Sequence, residues 1–378
     1  MIPFNKPYFH GSELVHITEA LTSGKISGDG YFTKKCHDFF EHRYGFKKVL
    51  LTTSCTDALE MAAILIDIQP FDEVIAPSYT FVSTVNAFAL RGAKIVFADS
   101  CDDHPNIDPA QIEKLITPNT KAIVVVHYAG VACDMDSIME IANRFNIPVV
   151  EDAAQAIDSF YNGVPLGSIG TFGTFSFHET KNIIAGEGGM LVINDDRYIN
   201  RAEIIREKGT NRTSFFRGEV AKYGWVDIGS SFLPSDIIAA FLFAQLQNIE
   251  KIQTKRKAIW QRYYERLSTA LVESDISLPN MPAYATNNAH MFYLVCKTLE
   301  QRTSLISYLK GLSVNVVFHY LSLHNSQFYI DNYDGDALIY SDNYSDCLVR
   351  LPMFYELELE QVDFICDKII EYIVDIDI

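Results

Sequence analysis

Short apolar runs alternate with longer amphipathic stretches from about residue 49 to residue 193. Runs at 49–52, 73–76, 94–97, 122–126, 149–150 and 191–193 contain little polar alternation and read as strands. Between them, apolar residues recur at helical spacing over 57–68, 80–91, 107–115 and 135–145. A strand buried on both faces has no polar side to alternate with. The order therefore predicts a mostly parallel sheet covered by helices on both faces, an α/β protein.

Beyond residue 193 the sequence turns basic, with helical and loop character, and then predicts one long helical stretch at 235–267, with Ser235 as a candidate N-cap. Strands are predicted at 290–296 and 314–318, and helices at 302–311 and 359–372. This makes a smaller α+β unit. A chain of 378 residues exceeds the roughly 250–300 at which one core stops growing. Two domains are predicted, a large one at 1–245 and a small C-terminal one at 246–378, with the boundary along the long helix.

Charge narrows the range of partners. Against 48 acidic residues stand 31 basic ones, a net charge of −17, whereas nucleic-acid affinity depends on clustered Lys and Arg. Nucleic acid is not an expected partner. The 7 cysteines show no paired or metal-ligand spacing and read as reduced thiols, so no metal site is expected. The N-terminus lacks a charged-then-apolar signal region, and no run reaches the ~18–20 apolar residues of a membrane span. A soluble, cytoplasmic protein without a membrane partner is the expectation.

Chemistry enters with Lys181, inside FSFHETKN at 175–182 and just ahead of GEGG at 186–189. A lone lysine is usually a surface charge. Here Phe172, Phe175 and Phe177 precede it, and apolar neighbours lower an amine's pKa toward the nucleophilic range. A lysine that binds an aldehyde cofactor such as pyridoxal 5′-phosphate needs a carboxylate for the ring nitrogen, donors for the phosphate and an aromatic cover. Each has a candidate. Glu151 and Asp152 end a strand, where open α/β sheets bind ligands, although an acidic residue there also serves as an N-cap or a metal ligand. Asp152 is the candidate for the ring nitrogen, and Gln155, one helical turn later, for the ring hydroxyl. TTSCTD at 52–57 joins a strand to a helix and offers either a plain N-cap or a phosphate cradle, to which Ser176 would add a hydroxyl. In PSYTF at 77–81, Tyr79 or Phe81 could stack on a flat ring or belong to the core.

Taken together the blocks SGDG at 27–30, TSCT at 53–56, PSYTF at 77–81, HYAG at 127–130, EDAAQ at 151–155, FSFHETKN and GEGG resemble, in order, those of the DegT-type sugar aminotransferases. These are a branch of the fold-type I pyridoxal-phosphate transferases. The resemblance covers nearly the whole chain and weakens after about residue 324. It implies that Lys181 is the catalytic lysine holding the cofactor, that Asp152 partners the ring nitrogen, that Gln155 meets the ring hydroxyl and that Phe81 stacks. Thr56, the backbone of Asp57 and Ser176 would hold the phosphate. Where the family commonly has an asparagine reaching the partner subunit's phosphate within Gly-x-Asn-x-Arg, this chain has GSSFL at 229–233, so Ser231 occupies that place and Leu233 replaces the arginine. Family members that are dehydratases carry histidine at the lysine position, so Lys181 argues for amination.

LEMAA at 59–63, VACDMD at 131–136 and NAHMFY at 288–293 are closest to members acting on dTDP-4-keto-6-deoxyglucose. The implied activity is transfer of an amino group from L-glutamate to C4 of that sugar, through pyridoxamine phosphate, for surface polysaccharide (O-antigen or common antigen) synthesis. Amination at C3, or a regulator that binds the cofactor without turnover, are the alternatives. Lys25, Lys208, Arg212, Arg217 and His319 are candidates for substrate contacts; for the basic four, a solvated basic face competes. A homodimer is implied.

Overall fold

The computed structural model describes residues 1–376. Helices α1 (Ser12–Thr22) and α2 (Tyr31–Tyr44), which the pattern above does not predict, precede an alternating series. It runs β1 (Val49–Thr52), α3 (Cys55–Leu65), β2 (Glu73–Pro77), α4 (Ser83–Ala89), β3 (Lys94–Ala98), α5 (Pro109–Leu115), β4 (Thr120–Val126), α6 (Met135–Phe145) and β5 (Val149–Asp152). A short hairpin, β6 (Phe160–Tyr161) and β7 (Val164–Pro165), leads to β8 (Phe172–Ser176) and β9 (Gly189–Ile193). Then follow α7 (Ile199–Arg206), α8 (Arg212–Phe216), α9 (Asp236–Leu246), α10 (Ile249–Ala270), β10 (Phe292–Val295), α11 (Leu299–Gly311), β11 (Val317–Phe318), α12 (Ile339–Cys347), β12 (Leu348–Leu351) and α13 (Leu359–Ile376).

The main sheet has 7 strands in the order β1-β9-β8-β5-β4-β2-β3. Strands β8, β5, β4, β2 and β3 pair in parallel, and β9 runs antiparallel between β8 and β1. Both faces are buried, as the unalternating runs require. Leu51, Ile75, Ile123 and Val149 enter one core cluster, while their chain neighbours Leu50, Val74, Val124 and Val150 enter another on the opposite face. A third cluster holds Phe292, Leu294, Val349, Leu351 and Ile365 around the smaller sheet β10-β12-β11, which is antiparallel throughout. Ile2 packs there too.

Two expectations need correction. The predicted helix at 235–267 is two helices, interrupted at Gln247 and Asn248, where the Asn248 side chain donates to Ala244 O at 2.9 Å. Its first half and the start of its second, Ile249 and Ile252, belong to the first core cluster, whereas Ile259, Tyr263 and Leu267 belong to the third. Strand β8 is also absent from the predicted strands, because Gly173 and two hydroxyl residues dilute its apolar character. That glycine lets the strand pass against the Gly167 turn: a Cβ on Gly173 would lie 2.3 Å from Gly167 O.

Candidate active site

The ends of β1, β2, β4, β5 and β8 converge on a cavity of ≈ 540 Å³ lined by Ser54, Thr56, Phe81, Thr84, Asp152, Gln155, Ser176, Lys181, His290, His319, Tyr320 and Arg350, among others. Its position at the carboxyl ends of β2, β4 and β5 is where parallel strands leave room for ligands.

Strand alternation separates the acidic pair. Glu151 turns away from the cavity, accepting hydrogen bonds from His127 Nε2 at 3.0 Å and from the amides of Gly167, Ile169 and Gly170 at 2.6 to 2.7 Å. Its role is to hold the loop before β8. Asp152 faces the cavity, where Thr84 Oγ1 donates to it at 2.7 Å and the Ala154 amide at 3.1 Å. Burial pushes its carboxyl above the usual range, and these donors and the charge of Lys181 offset that only in part. A buried carboxylate in this state lacks a full countercharge. The protonated nitrogen of a pyridine ring would supply one.

Lys181 follows a turn closed by its own amide to His178 O at 2.9 Å. Burial lowers its amine below the ordinary range, although Asp152 pulls the other way. Its neighbour Asn182 is tied to the C-terminal part of the chain: it donates to Asn288 O at 2.8 Å and accepts from His290 Nδ1 at 2.9 Å. Two blocks far apart in sequence, FSFHETKN and NAHMFY, therefore meet beside the lysine.

The β1–α3 junction shows why small residues sit there. Ser54 is the N-cap of α3 and accepts from the Asp57 amide at 3.1 Å, so α3 starts earlier than its apolar periodicity implied. The first-turn amides of Cys55 and Thr56 have no intrahelical acceptor and, with the positive helix end, suit a phosphate. Thr56 Oγ1 donates to Ser83 Oγ at 3.0 Å. Gly189 of β9 passes directly beneath: a Cβ there would come within 2.3 Å of the Ser54 carbonyl carbon. Glycine is required for that approach.

Gln155 accepts from the Ala129 amide at 2.6 Å and donates to Tyr320 Oη at 3.0 Å. Phe81 is 54% exposed at the cavity mouth, its ring 6.0 Å from that of Tyr320. Tyr79 is instead buried, bonded to His319 O at 2.7 Å, and so belongs to the wall behind. His319 lies in the cavity, stacked on Tyr320 at 3.5 Å and bonded through Nδ1 to Tyr128 Oη at 2.7 Å. Burial holds His290 and His319 well below the usual imidazole range, so both are neutral.

The structure thus brings together Lys181, Asp152, Gln155, Thr56, Ser176, Phe81 and His319. Asp57, Ser231, Lys25, Arg212 and Arg217 do not line the cavity of their own chain. The Asp57 amide is engaged by the N-cap, and its side chain bonds Thr53. Lys25 donates to Asp29 O at 2.8 Å, Arg212 pairs with Glu207 at 2.8 Å, and Arg217 with Glu203 and Glu219 at 2.7 Å. Ser231 is exposed. Thr84, His290, Tyr320 and Arg350 line the cavity without having been singled out in the sequence. A charged residue inside the otherwise apolar strand β12 was a readable signal for Arg350.

Comparison with known proteins agrees with this architecture. The chain is similar over its full length to the aminotransferase TlmJ of Streptoalloteichus hindustanus, with 27% identity, a TM-score of 0.91 and 100% of both chains covered. A protein described as a sugar aminotransferase of Streptococcus pneumoniae, in its pyridoxamine-phosphate form, matches with 26% identity, a TM-score of 0.90 and 100% of both chains covered. DesV of S. venezuelae, in complex with a ketimine intermediate, matches with 27% identity, a TM-score of 0.88 and 98% of both chains covered. The fold is that of the fold-type I transferases, and the cofactor is pyridoxal phosphate. With residues 8–370 matching the family model, this chain belongs to the DegT/DnrJ/EryC1/StrS aminotransferase family, transaminases that include sugar aminotransferases.

Proposed function

We propose that this transaminase transfers the amino group of L-glutamate to C4 of dTDP-4-keto-6-deoxyglucose, yielding a dTDP-4-amino-4,6-dideoxyhexose for a surface polysaccharide. The observation that carries the reading is the convergence of Lys181, Asp152 and the Thr56/Ser176 hydroxyls on one cavity. The sugar specificity rests on the likeness of the 59–63, 131–136 and 288–293 blocks to C4-aminating members. Sugar aminotransferases among the structural matches support the substrate class.

On this reading Lys181 holds the cofactor at its aldehyde, Asp152 pairs with the ring nitrogen and Gln155 with the ring hydroxyl. The hydroxyls of Thr56 and Ser176 and the first-turn amides of Cys55 and Thr56 hold the phosphate, in place of the Asp57 backbone, whose amide is already bonded to Ser54, and Phe81 covers the ring. The cofactor, when bound, supplies an electron sink for the carbanion at the donor's α-carbon. Lys181 Nζ, released when the donor's nitrogen takes its place, carries the proton off that carbon and delivers it to the cofactor side. Burial favours the neutral amine this requires. Asp152, anchored by Thr84, keeps the ring nitrogen charged. His290 and His319, both neutral, add no competing positive charge.

The assembly proposed is a cytoplasmic homodimer, with large and small domains at 1–245 and 246–378. The third core cluster supports a separate C-terminal unit, although Ile2 packs with it, Leu246, Ile249 and Ile252 pack with the first cluster, Leu338 with the second, and a fourth cluster joins Tyr79 and Tyr128 to Tyr293 and Leu348. Among the described residues no helix is long and apolar enough to cross a membrane. Exposed Phe9, Leu14, Val15, Val82, Trp225 and Val226 offer apolar surface to a second copy. On this reading Ser231, which is exposed, would contribute to the partner's phosphate site. NMR of the product formed from dTDP-4-keto-6-deoxyglucose and L-glutamate is expected to show nitrogen at C4, with ring couplings reporting gluco or galacto configuration. Nitrogen at C3, or no aminated sugar, defeats the substrate assignment.

A further inference from the structure

Four histidines are buried among the described residues, and three of them are engaged by the protein. His127 meets Glu151 through Nε2 at 3.0 Å and accepts the Cys133 amide on Nδ1 at 3.2 Å. His290 Nδ1 bonds Asn182 Oδ1 at 2.9 Å, and His324 Nδ1 meets Ser78 Oγ at 2.7 Å. His104 differs. Its Nδ1 is enclosed without a hydrogen-bond partner, and its Nε2 stands 3.7 Å from the Asp103 carboxylate, beyond hydrogen-bond reach. Buried polar side chains are ordinarily paired, so an imidazole 7% exposed and bonded to nothing among the described residues keeps its nitrogens free for a ligand.

Its surroundings define the class of that ligand. His104 lies in the loop between β3 and α5, where the Cys101 amide donates to Asn106 O at 2.8 Å and the Asp108 amide to Asp99 O at 3.0 Å. Asn106 anchors the loop from below, donating to Val131 O at 3.0 Å and Ala132 O at 2.9 Å. On this fixed base the Cys101 sulfur, an Asp103 carboxylate oxygen and a His104 ring nitrogen all lie within 4.8 Å of one another. Cys101-x-x-His104 has the close spacing of zinc-ligand pairs, and it is invisible among cysteine spacings because its second member is a histidine. Burial, and after it the charges of Asp108, Asp103, Asp102 and Asp134, push the Cys101 thiol up to about 12. Those charges are all negative. A dication would supply the opposite sign and convert the thiol into a thiolate ligand, its proton leaving to solvent.

We propose that Cys101, Asp103 and His104 form a binding site for a divalent transition-metal ion of the zinc class, with water completing the shell. Sulfur and imidazole suit Zn²⁺ or Co²⁺, whereas Mg²⁺ and Ca²⁺ take oxygen. Ligand atoms of one tetrahedral zinc lie roughly 3.3–3.7 Å apart, so the three groups need to close by about 1 Å. Asp103 can supply that movement and an entry path, because its side chain is exposed and only Oδ2 is taken, by Asn280 Nδ2 at 2.7 Å. None of the three residues lines the active-site cavity, so the ion has a structural role. The loop is where later parts of the chain rest on the edge of the main sheet. Besides Asn280, Tyr344 Oη donates to Asp102 O at 3.2 Å, and the amides of Tyr340 and Ser341 donate to Asp99 at 3.1 and 2.8 Å. A bound ion braces that seam. The proposal is independent of the sugar assignment.

The test uses chelator-treated, desalted holoenzyme, titrated with Co²⁺ as a spectroscopic probe and then with Zn²⁺ to displace it. A single ion per chain is expected, with the visible bands of tetrahedral cobalt, a thiolate-to-cobalt charge-transfer band, and a Kd for Zn²⁺ below about 10 μM. Cys101→Ser should remove the charge-transfer band and, like His104→Gln, weaken Zn²⁺ binding at least about 100-fold, and Asp103→Asn about 10-fold. Saturating Zn²⁺ should raise the Tm of the wild type and leave that of Cys101→Ser unmoved. A Kd weaker than about 10 μM, cobalt bound without a thiolate band, or undiminished binding by Cys101→Ser would overturn the proposal. The last result assigns the ion to the cofactor or to scattered surface carboxylates. If Cys101→Ser fails to fold, His104→Gln and Asp103→Asn, the latter at an exposed side chain, carry the same decision through the Zn²⁺ affinities.

Discussion

The cavity has two walls built on opposite plans. The wall made by the sheet ends is closed on itself: Asp152 is held by Thr84 and the Ala154 amide, Thr56 by Ser83, and Ser54 by the Asp57 amide. The wall made by the C-terminal residues is aromatic and unfinished, with His319 stacked on Tyr320 and Arg350 lacking a partner. A resident cofactor is best met by groups already fixed in place, since orientation is then settled before any reaction. Substrates that enter and leave need groups whose hydrogen bonds are still free. The difference teaches which wall is to be perturbed for which effect.

The largest expected effect is on the first wall. Lys181→Ala should abolish the visible band that the lysine-bound cofactor gives and reduce turnover by about 10⁴-fold or more, since both cofactor attachment and proton transfer are lost. A variant that keeps normal turnover and the wild-type spectrum would refute the assignment. Asp152→Asn should preserve the fold and lower turnover about 100-fold or more, with a smaller change in donor KM, because the carboxylate tunes the ring rather than the substrate. A change in KM alone would move Asp152 to the other wall and erase the contrast.

The smallest effect concerns what braces the first wall. His37 Nε2 accepts the Leu51 amide of β1 at 3.0 Å, and burial, helped by the Arg206 charge, pushes its imidazole down to about 3 from 6.5. Because the folded value is below the unfolded one, the unfolded chain binds the proton more readily between them. The stabilisation is complete above pH ~6.5 and is lost as pH falls toward about 3. Thermal denaturation from pH 7 to 5 should therefore fall more steeply for wild type than for His37→Gln, by up to about 1.4 kcal/mol per pH unit. Parallel curves would show that His37 is not the group that titrates.

How much of this was legible beforehand depends on how local the signal was. The strands of the parallel sheet were readable because burial on both faces leaves an unbroken apolar run. Lys181, Asp152, Thr56 and Ser176 were readable because each lies in or beside a strand end, with its neighbours adjacent in sequence. Strand β8 was not, since Gly173 is there for a contact with Gly167 that no local pattern encodes. The break at Gln247 and Asn248 was hidden because both halves of the stretch keep helical periodicity while packing on different cores. Lys25, Arg212 and Arg217 looked free as single charges, but neighbours across a turn or a helix occupy them.

By itself the sequence determined the α/β class, most of the run of strands and helices, and the lysine, carboxylate and hydroxyl blocks that line the cavity, because alternation and strand-end spacing are local properties of the chain. Only the tertiary structure decided that Glu151 turns to the loop at 167–170 while Asp152 turns to the cavity. It alone decided that Thr84 holds that carboxylate, and that His319, Tyr320 and Arg350 come from far along the chain to face Lys181. The physical reason is that a side chain's charge, partner and exposure are set by what packs against it, and those neighbours are distant in sequence.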